Sequence, residues 1–480
     1  MAKEALASGV KYKDLTFFAL FSLTFGSMMG SGVFDIPQNI ASRSGAVAVV
    51  VHWGIVALGM LALAWAFVYI SNRRPEIKSG IYGYAKFGFG DYVGFSSAWG
   101  YWLNALLGDA SYLIYIFATL GNFFTIFGHG PTAGATLPAL LGESGLIWLV
   151  YILMIQGVKE ASIVNIIITT VKLLALAVII FVFIYGFKLS IFYKNMATQD
   201  LNLGSMFQQI KATMLVTVWD FLGIEAACIY AIYAKSMKDV GRATMLAVVV
   251  VLIIDILISC LPFGILSTAA VQSLPTPSTA GIMLLVMGPI SANIICGAVI
   301  ICVLGALLAW QMLAMNILYL SAQDRTMPRY LSRINRHGVP AAAALVSCLT
   351  LQSFVLCAYL THAIYINMIQ VATSLVLVPY LLAAMYAFKL IIQERKIHYY
   401  ELIKGTLAVT YAIWMIYAGG LKYLVISSLM YFVGIFVFAK ARREEGRALF
   451  DNRFEFAMCA VIVVVALLSG GLWCYGVLEL

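Results

Sequence analysis

Residues 24–34 read TFGSMMGSGVF, followed by Pro37, inside the first long apolar run of the chain. Glycine weakens a helix by roughly 1 kcal/mol relative to alanine, and serine is a poor interior residue as well. Three glycines, two serines and a proline in one run therefore predict a helix that is broken. In lipid, backbone groups freed by a break cost several kcal/mol unless a cavity or ligand satisfies them. Freed amides at a half-helix end suit an anion and freed carbonyls suit a cation, so a zwitterionic amino acid needs both. The competing reading is a face of small residues for close helix packing.

The surrounding composition sets the solvent. The chain has 480 residues, 63% hydrophobic and 11% charged, with mean hydropathy +0.96. Soluble domains run near 45–50% apolar and about 25% charged, so this is an integral membrane protein. Runs long enough to cross about 30 Å of hydrocarbon fall at 15–41, 46–70, 92–124, 136–157, 160–187, 206–234, 243–268, 283–322, 340–360, 364–391, 403–420, 421–439 and 456–477. The first run comes after a charged, polar segment, no small-residue cleavage site follows the run, and it reads as a retained span. With the N-terminus in the cytoplasm, 24 Lys and Arg fall on the inner side and four on the outer (Arg43, Lys188, Lys194, Lys422). The net charge of +9 is thus topology under the positive-inside rule, not a nucleic-acid surface. Thirteen spans would place the C-terminus outside.

Several classes drop out. The five histidines do not cluster, no CxxC occurs among the eight cysteines, and no phosphate-binding GxxxxGK[ST] stands in a nucleotide-binding context. No metal, cofactor or enzymatic activity is expected. A secondary transporter, a channel or a receptor remains.

A second interrupted run reads TMLVTVWDFLGIEAAC at 213–228, with Asp220, Gly223 and Glu225 inside an apolar segment. Acids deep in a span are costly and mark pathways or proton relays. Breaks in the first and sixth runs match an inverted five-plus-five repeat. Asp35 and Asp255 are also intramembrane by position. In GYWLNALLGDASY, Tyr101, Ala105, Asp109 and Tyr112 share one helix face.

GSMMGSGVF with Pro37, W-x-F-x-G-I-E at 219–225, and LGALLAWQML with AQDRTMPRYLSRINRHGVP at 304–340 together resemble the amino acid–polyamine–organocation superfamily. Within it the match is to the basic amino acid/polyamine antiporters, over most of residues 12–440. The resemblance implies an all-α inverted-repeat core at 14–391 after a cytoplasmic N-terminus at 1–13. Two peripheral helices would follow at 392–440, and a basic cytoplasmic loop with an extra span at 441–480. That thirteenth span resembles the longer arginine/ornithine-type members.

The same resemblance implies site residues. Ser31 and Gly32 would take the substrate carboxylate, and carbonyls near Met28, Trp219 and Leu222 its amino group. Tyr101 lies on the face that carries Asp109, which stands where related exchangers have asparagine; an acid there suits a guanidinium or ammonium, or packs as a protonated carboxyl. Trp310 would stack on the cationic head, and Trp219 and Tyr380 would act as gates. Glu225 reads either as a proton-linked group or as a structural hydrogen bond. Lys172, mid-span in IIITTVKLLALAV, would tie the fifth span to the broken first one in place of sodium. Asp220 is unusual for the family and carries no assignment. The basic loop 323–338 is a solvated cytoplasmic face before it is a site for anionic lipid.

The expected activity is arginine entry in exchange for a product such as agmatine, with ornithine close behind, in a bacterial inner membrane. Lysine exchange, proton-coupled uptake, or a non-transporting sensor are the alternatives. A homodimer is left open, and partners are small cations and the bilayer.

Overall fold

The computed structural model describes residues 15–77, 79–128, 130–156, 161–197, 202–361, 365–394 and 398–474. The N-terminal segment 1–13 lies outside the described residues, as do Lys78, His129, Lys159, His362, Arg395 and Lys396.

Among the described residues, twelve helices are long and apolar enough to cross a membrane. The run at 206–234 is not among them because it is in pieces, Leu203–Trp219 and a single turn at Ala226–Ile229. The first span is also split, into Phe17–Met28 and Gly32–Ala41. Its helical ladder ends where the Met29 amide bonds to the Phe25 carbonyl at 2.9 Å, and the Gly30 amide turns back to the Met28 carbonyl at 3.0 Å. In the sixth span Gly223 has φ +104°, which an L side chain rarely adopts.

One run reads differently in space than in sequence. The stretch expected as a single span at 283–322 is a helix Ser278–Met287, then Gly288 at φ +86°, then the eighth span Pro289–Gln323. Gly288 supplies the left-handed turn and Pro289 fills the first position of the new helix, where a missing N–H costs nothing. A short helix, Gly80–Phe89, also joins the second span (Ala46–Arg73) to the third (Asp91–Leu120).

Contacts repeat with a period of five spans. The first span packs on the fifth (Ala161–Gly186) as the sixth packs on the tenth (Tyr365–Ile392). The first packs on the seventh (Met237–Cys260) as the sixth packs on the second. The third lies against the tenth as the eighth lies against the fifth. This is the all-α inverted-repeat fold, with its two broken helices side by side. The eleventh to thirteenth spans, Tyr399–Gly419, Leu421–Glu444 and Arg453–Cys474, lie outside that pattern.

Candidate functional site

Both breaks meet at the centre of the bundle. Ser27 donates to the Gly223 carbonyl at 3.3 Å, and a Cβ on Gly223 would come within 2.5 Å of Ser27 Oγ. One helix carbonyl of the first break, Ser27 O, accepts the Trp310 indole N–H at 3.0 Å. The Lys172 ammonium, buried in the fifth span, donates to the carbonyls of Gly26, at 3.1 Å, and Met29. Interior carbonyls left over by the break are thereby satisfied, as a water-free environment demands.

The glycines of GSMMGSG are places of close approach. A Cβ on Gly30 would stand 2.1 Å from the Tyr112 hydroxyl. A Cβ on Gly32 would stand 1.8 Å from Asp220 Oδ1 and 2.7 Å from Trp219 Cδ1. Between them, the Ser31 and Tyr365 hydroxyls are 2.5 Å apart. The Met28 carbonyl holds the Gly30 amide, and the Trp219 carbonyl holds the Leu222 amide at 3.2 Å.

Aromatic rings wall this centre. Tyr112 meets Trp219 edge-on at 5.7 Å, and Trp219 lies against Gly108 of the third span. Tyr101 and Trp310 are 5.9 Å apart. Tyr101 and Tyr380 each donate to one oxygen of Glu225, at 2.6 and 2.7 Å, so this carboxylate joins the third, sixth and tenth spans. Phe67 packs edge-on against Tyr380 at 5.7 Å.

Acids are buried inside the bundle. Asp109 is fully buried; its Oδ2 accepts from Gln311 Nε2 at 2.7 Å, while Oδ1 has no partner. Gln311 is itself contacted by the Cys348 thiol at 3.8 Å. Asp220 and Asp255 are buried, with all four carboxylate oxygens unpartnered. Asp35, on helix Gly32–Ala41, is engaged: its Oδ1 accepts the Ser278 amide at 2.6 Å at the start of helix Ser278–Met287.

The structure therefore gathers Met28, Ser31, Gly32, Asp109, Trp219, Leu222 and Trp310 around the paired breaks, with Tyr101, Glu225 and Tyr380 forming one hydrogen-bonded group and Lys172 behind the first break. Three participants escaped the sequence reading. Gln311 follows Trp310 directly and is a lone amide in an apolar helix, a visible signal. Ser27 lies inside the quoted stretch. Tyr365 gave no signal, since its partner Ser31 is 334 residues away.

Two broken helices back to back, with buried acids and strapped carbonyls between them, define a secondary transporter rather than an enzyme. The chain matches the amino acid permease family over residues 15–465. It is 39% identical to the arginine/ornithine antiporter of Pseudomonas aeruginosa, over 95% of this chain and 96% of that one. It is 36% identical to the L-lysine transport protein of Corynebacterium glutamicum, over 93% and 92% respectively. To the arginine/agmatine antiporter of Chlamydia caviae it is 34% identical, over 97% of each. The chain belongs to the amino acid permease family, within the amino acid–polyamine–organocation superfamily, and to its branch of basic amino acid antiporters.

Proposed function

We propose that this protein exchanges external arginine for a cationic product of arginine breakdown, with agmatine as that product, by alternating access in a bacterial inner membrane. The carrying observation is Asp109. Gln311 fixes the carboxylate through one oxygen and leaves the other for one charge-assisted bond to a guanidinium or ammonium. Trp310, on the same helix as Gln311, offers its face to that cation. Ser31 and Gly32 serve the substrate carboxylate at the start of helix Gly32–Ala41, whose first amides have no partners within the helix. Carbonyls of Met28, Trp219 and Leu222 serve the amino group, and Trp219 and Tyr380 open and close the site. Glu225, held by two phenols, is the group through which protonation reaches the gate. The transport core is 14–391, with the N-terminus cytoplasmic.

Ornithine is the second reading, favoured by the likeness to the Pseudomonas antiporter and by the thirteenth span. The test is uptake of labelled arginine into proteoliposomes preloaded with agmatine, ornithine, lysine, leucine or buffer. Uptake only with cationic contents supports exchange, and their ranking gives the product. Uptake into buffer-loaded vesicles under a pH gradient alone would make the protein a proton-coupled permease instead.

A further inference from the structure

Leu429, Val433, Phe436, Lys440 and Arg443 of the twelfth span, Leu421–Glu444, recur at spacings of three and four and so share one helix face. All five are exposed, Phe436 by 66% and Val433 by 55%. The first three are apolar and the last two cationic, the order of tail and headgroup in a phospholipid. Lys440 lies about 29 Å along the helix from Leu421 at 1.5 Å per residue, close to one hydrocarbon thickness. Its ammonium and the Arg443 guanidinium therefore stand at the depth of lipid phosphates.

The other bases gathered around this helix end are engaged. Arg442 is buried and pairs with Asp91 and Asp451, and Arg325 and Arg329 pair with Glu445 at 3.0 and 2.6 Å. Among the described residues no carboxylate forms an ion pair with Lys440 or Arg443. A groove of about 410 Å³ opens beside these two, lined by Phe436, Ala439, Lys440, Arg443 and Glu444. Its one acid, Glu444, accepts the Arg329 amide through Oε2 at 2.8 Å. The lining keeps a net positive charge. The Lys440 ammonium also sits over the Tyr330 ring, 5.4 Å from its centroid, in the turn Arg329–Ser332 between the eighth and ninth spans.

We propose that this groove binds one anionic phospholipid, with its phosphate between Lys440 and Arg443 and an acyl chain along Phe436, Val433 and Leu429. Side chains three residues apart on a helix have Cβ atoms about 5–6 Å from each other, so both cationic heads reach a single phosphate. Arginine grips it through two N–H groups and lysine as a point charge. A zwitterionic lipid brings its own ammonium to the same two bases and forfeits part of that attraction. A free phosphate has no tail to lay on the apolar stripe. Bound there, the lipid reinforces the joint between the twelfth span and the loop that Glu444 and Glu445 already hold.

The test uses the full chain in neutral detergent, melted with phosphatidylglycerol, with phosphatidylcholine of the same acyl chains, or with glycerol 3-phosphate. A ligand bound only by the folded state raises the melting temperature by mass action. Phosphatidylglycerol is expected to raise it by several degrees, phosphatidylcholine less, and glycerol 3-phosphate not at all. Native mass spectrometry is expected to show one retained phosphatidylglycerol. The double variant Lys440→Gln/Arg443→Gln is expected to lose both the shift and the bound lipid. Arg333→Gln/Arg336→Gln, which removes equal charge from the neighbouring loop, is expected to keep both. If the double variant is not recovered, Arg443→Gln alone, expected to lose about half the shift, decides by the same comparison. Equal shifts with the two lipids would overturn the proposal. So would a phosphatidylglycerol shift that survives in Lys440→Gln/Arg443→Gln, or one lost equally in Arg333→Gln/Arg336→Gln, which would make the effect one of diffuse surface charge. A shift matched by glycerol 3-phosphate would mark an anion site without a lipid and overturn it too. Two chains held together without lipid, and separating in the double variant, would give this face to a second copy instead.

Discussion

Gly30 has no room for a methyl group, because the space belongs to the Tyr112 hydroxyl, 2.1 Å from where the Cβ would stand. Tyr112 is held in turn by Trp219, so it yields only by disturbing the wall of the site. Overpacking a fixed neighbour costs about 1–3 kcal/mol. Gly30→Ala is expected to reach the membrane in normal amount while its initial exchange rate falls at least about tenfold; quantitative blotting alongside uptake checks both halves. Asp109 is tested by the reverse logic, since nothing is added. Asp109→Asn retains a hydrogen-bonding group for Gln311 and loses the charge. A hydrogen bond to a charged group contributes about 1.5–3 kcal/mol, so the KM for arginine is expected to rise about 10- to 100-fold. An unchanged KM would mean that the cationic head lies elsewhere.

At the level of the element, the two breaks are held by contacts that neighbours in sequence do not supply. Lys172 takes the Gly26 and Met29 carbonyls from across the bundle. Lys172→Met would leave both oxygens buried without their partner, at about 1–3 kcal/mol each, and thermal melting in detergent should show the loss. Lys172→Arg, bulkier but still a donor, is expected to lose less. Such elements differ in how far their residues announced them. GSMMGSG and WDFLGIE were legible because glycine and acid are out of place in lipid, whatever surrounds them. The split at Gly288 was not, since Met287–Gly288–Pro289 sits in a run apolar enough to pass as one span. The pairing of Ser31 with Tyr365 was equally silent, because a tyrosine near a span end is common at membrane interfaces. Asp220 was visible as an oddity, yet only the fold brings it to Gly32.

Across the whole molecule, the ends of distant spans on one side of the bundle are joined by ions. Arg442, at the end of the twelfth span, is only 2% exposed and donates to Asp91 at 3.0 Å, to the Ala448 carbonyl at 2.6 Å, and to Asp451. Glu455, at the start of the thirteenth span, accepts the Tyr92 amide at 3.0 Å, so the added span is fastened to the beginning of the third. Asp91 keeps Lys86 and Arg447 at 3.7 Å, so removing Arg442 chiefly loses its charge-assisted bonds, at about 1.5–3 kcal/mol. Arg442→Ala is therefore expected to lower the melting temperature by several degrees, with the ranking among substrates unchanged. A shifted ranking would show that the third span transmits this contact to Asp109.

The Lys172 strap has a consequence for energetics. A metal ion held at the same carbonyls would obey mass action, leaving when diluted and returning when concentrated. An ammonium on its own helix is supplied at an effective concentration that the medium cannot alter. The position behaves as permanently saturated, and no ionic gradient can perform work through it. A sodium gradient therefore adds nothing to the cycle through this position, and the force is left to the exchanged solutes and to whatever net charge their exchange carries across the membrane. Exchange in sodium and in choline media should proceed at one rate; a sodium-dependent rate would place a second cation site elsewhere in the bundle.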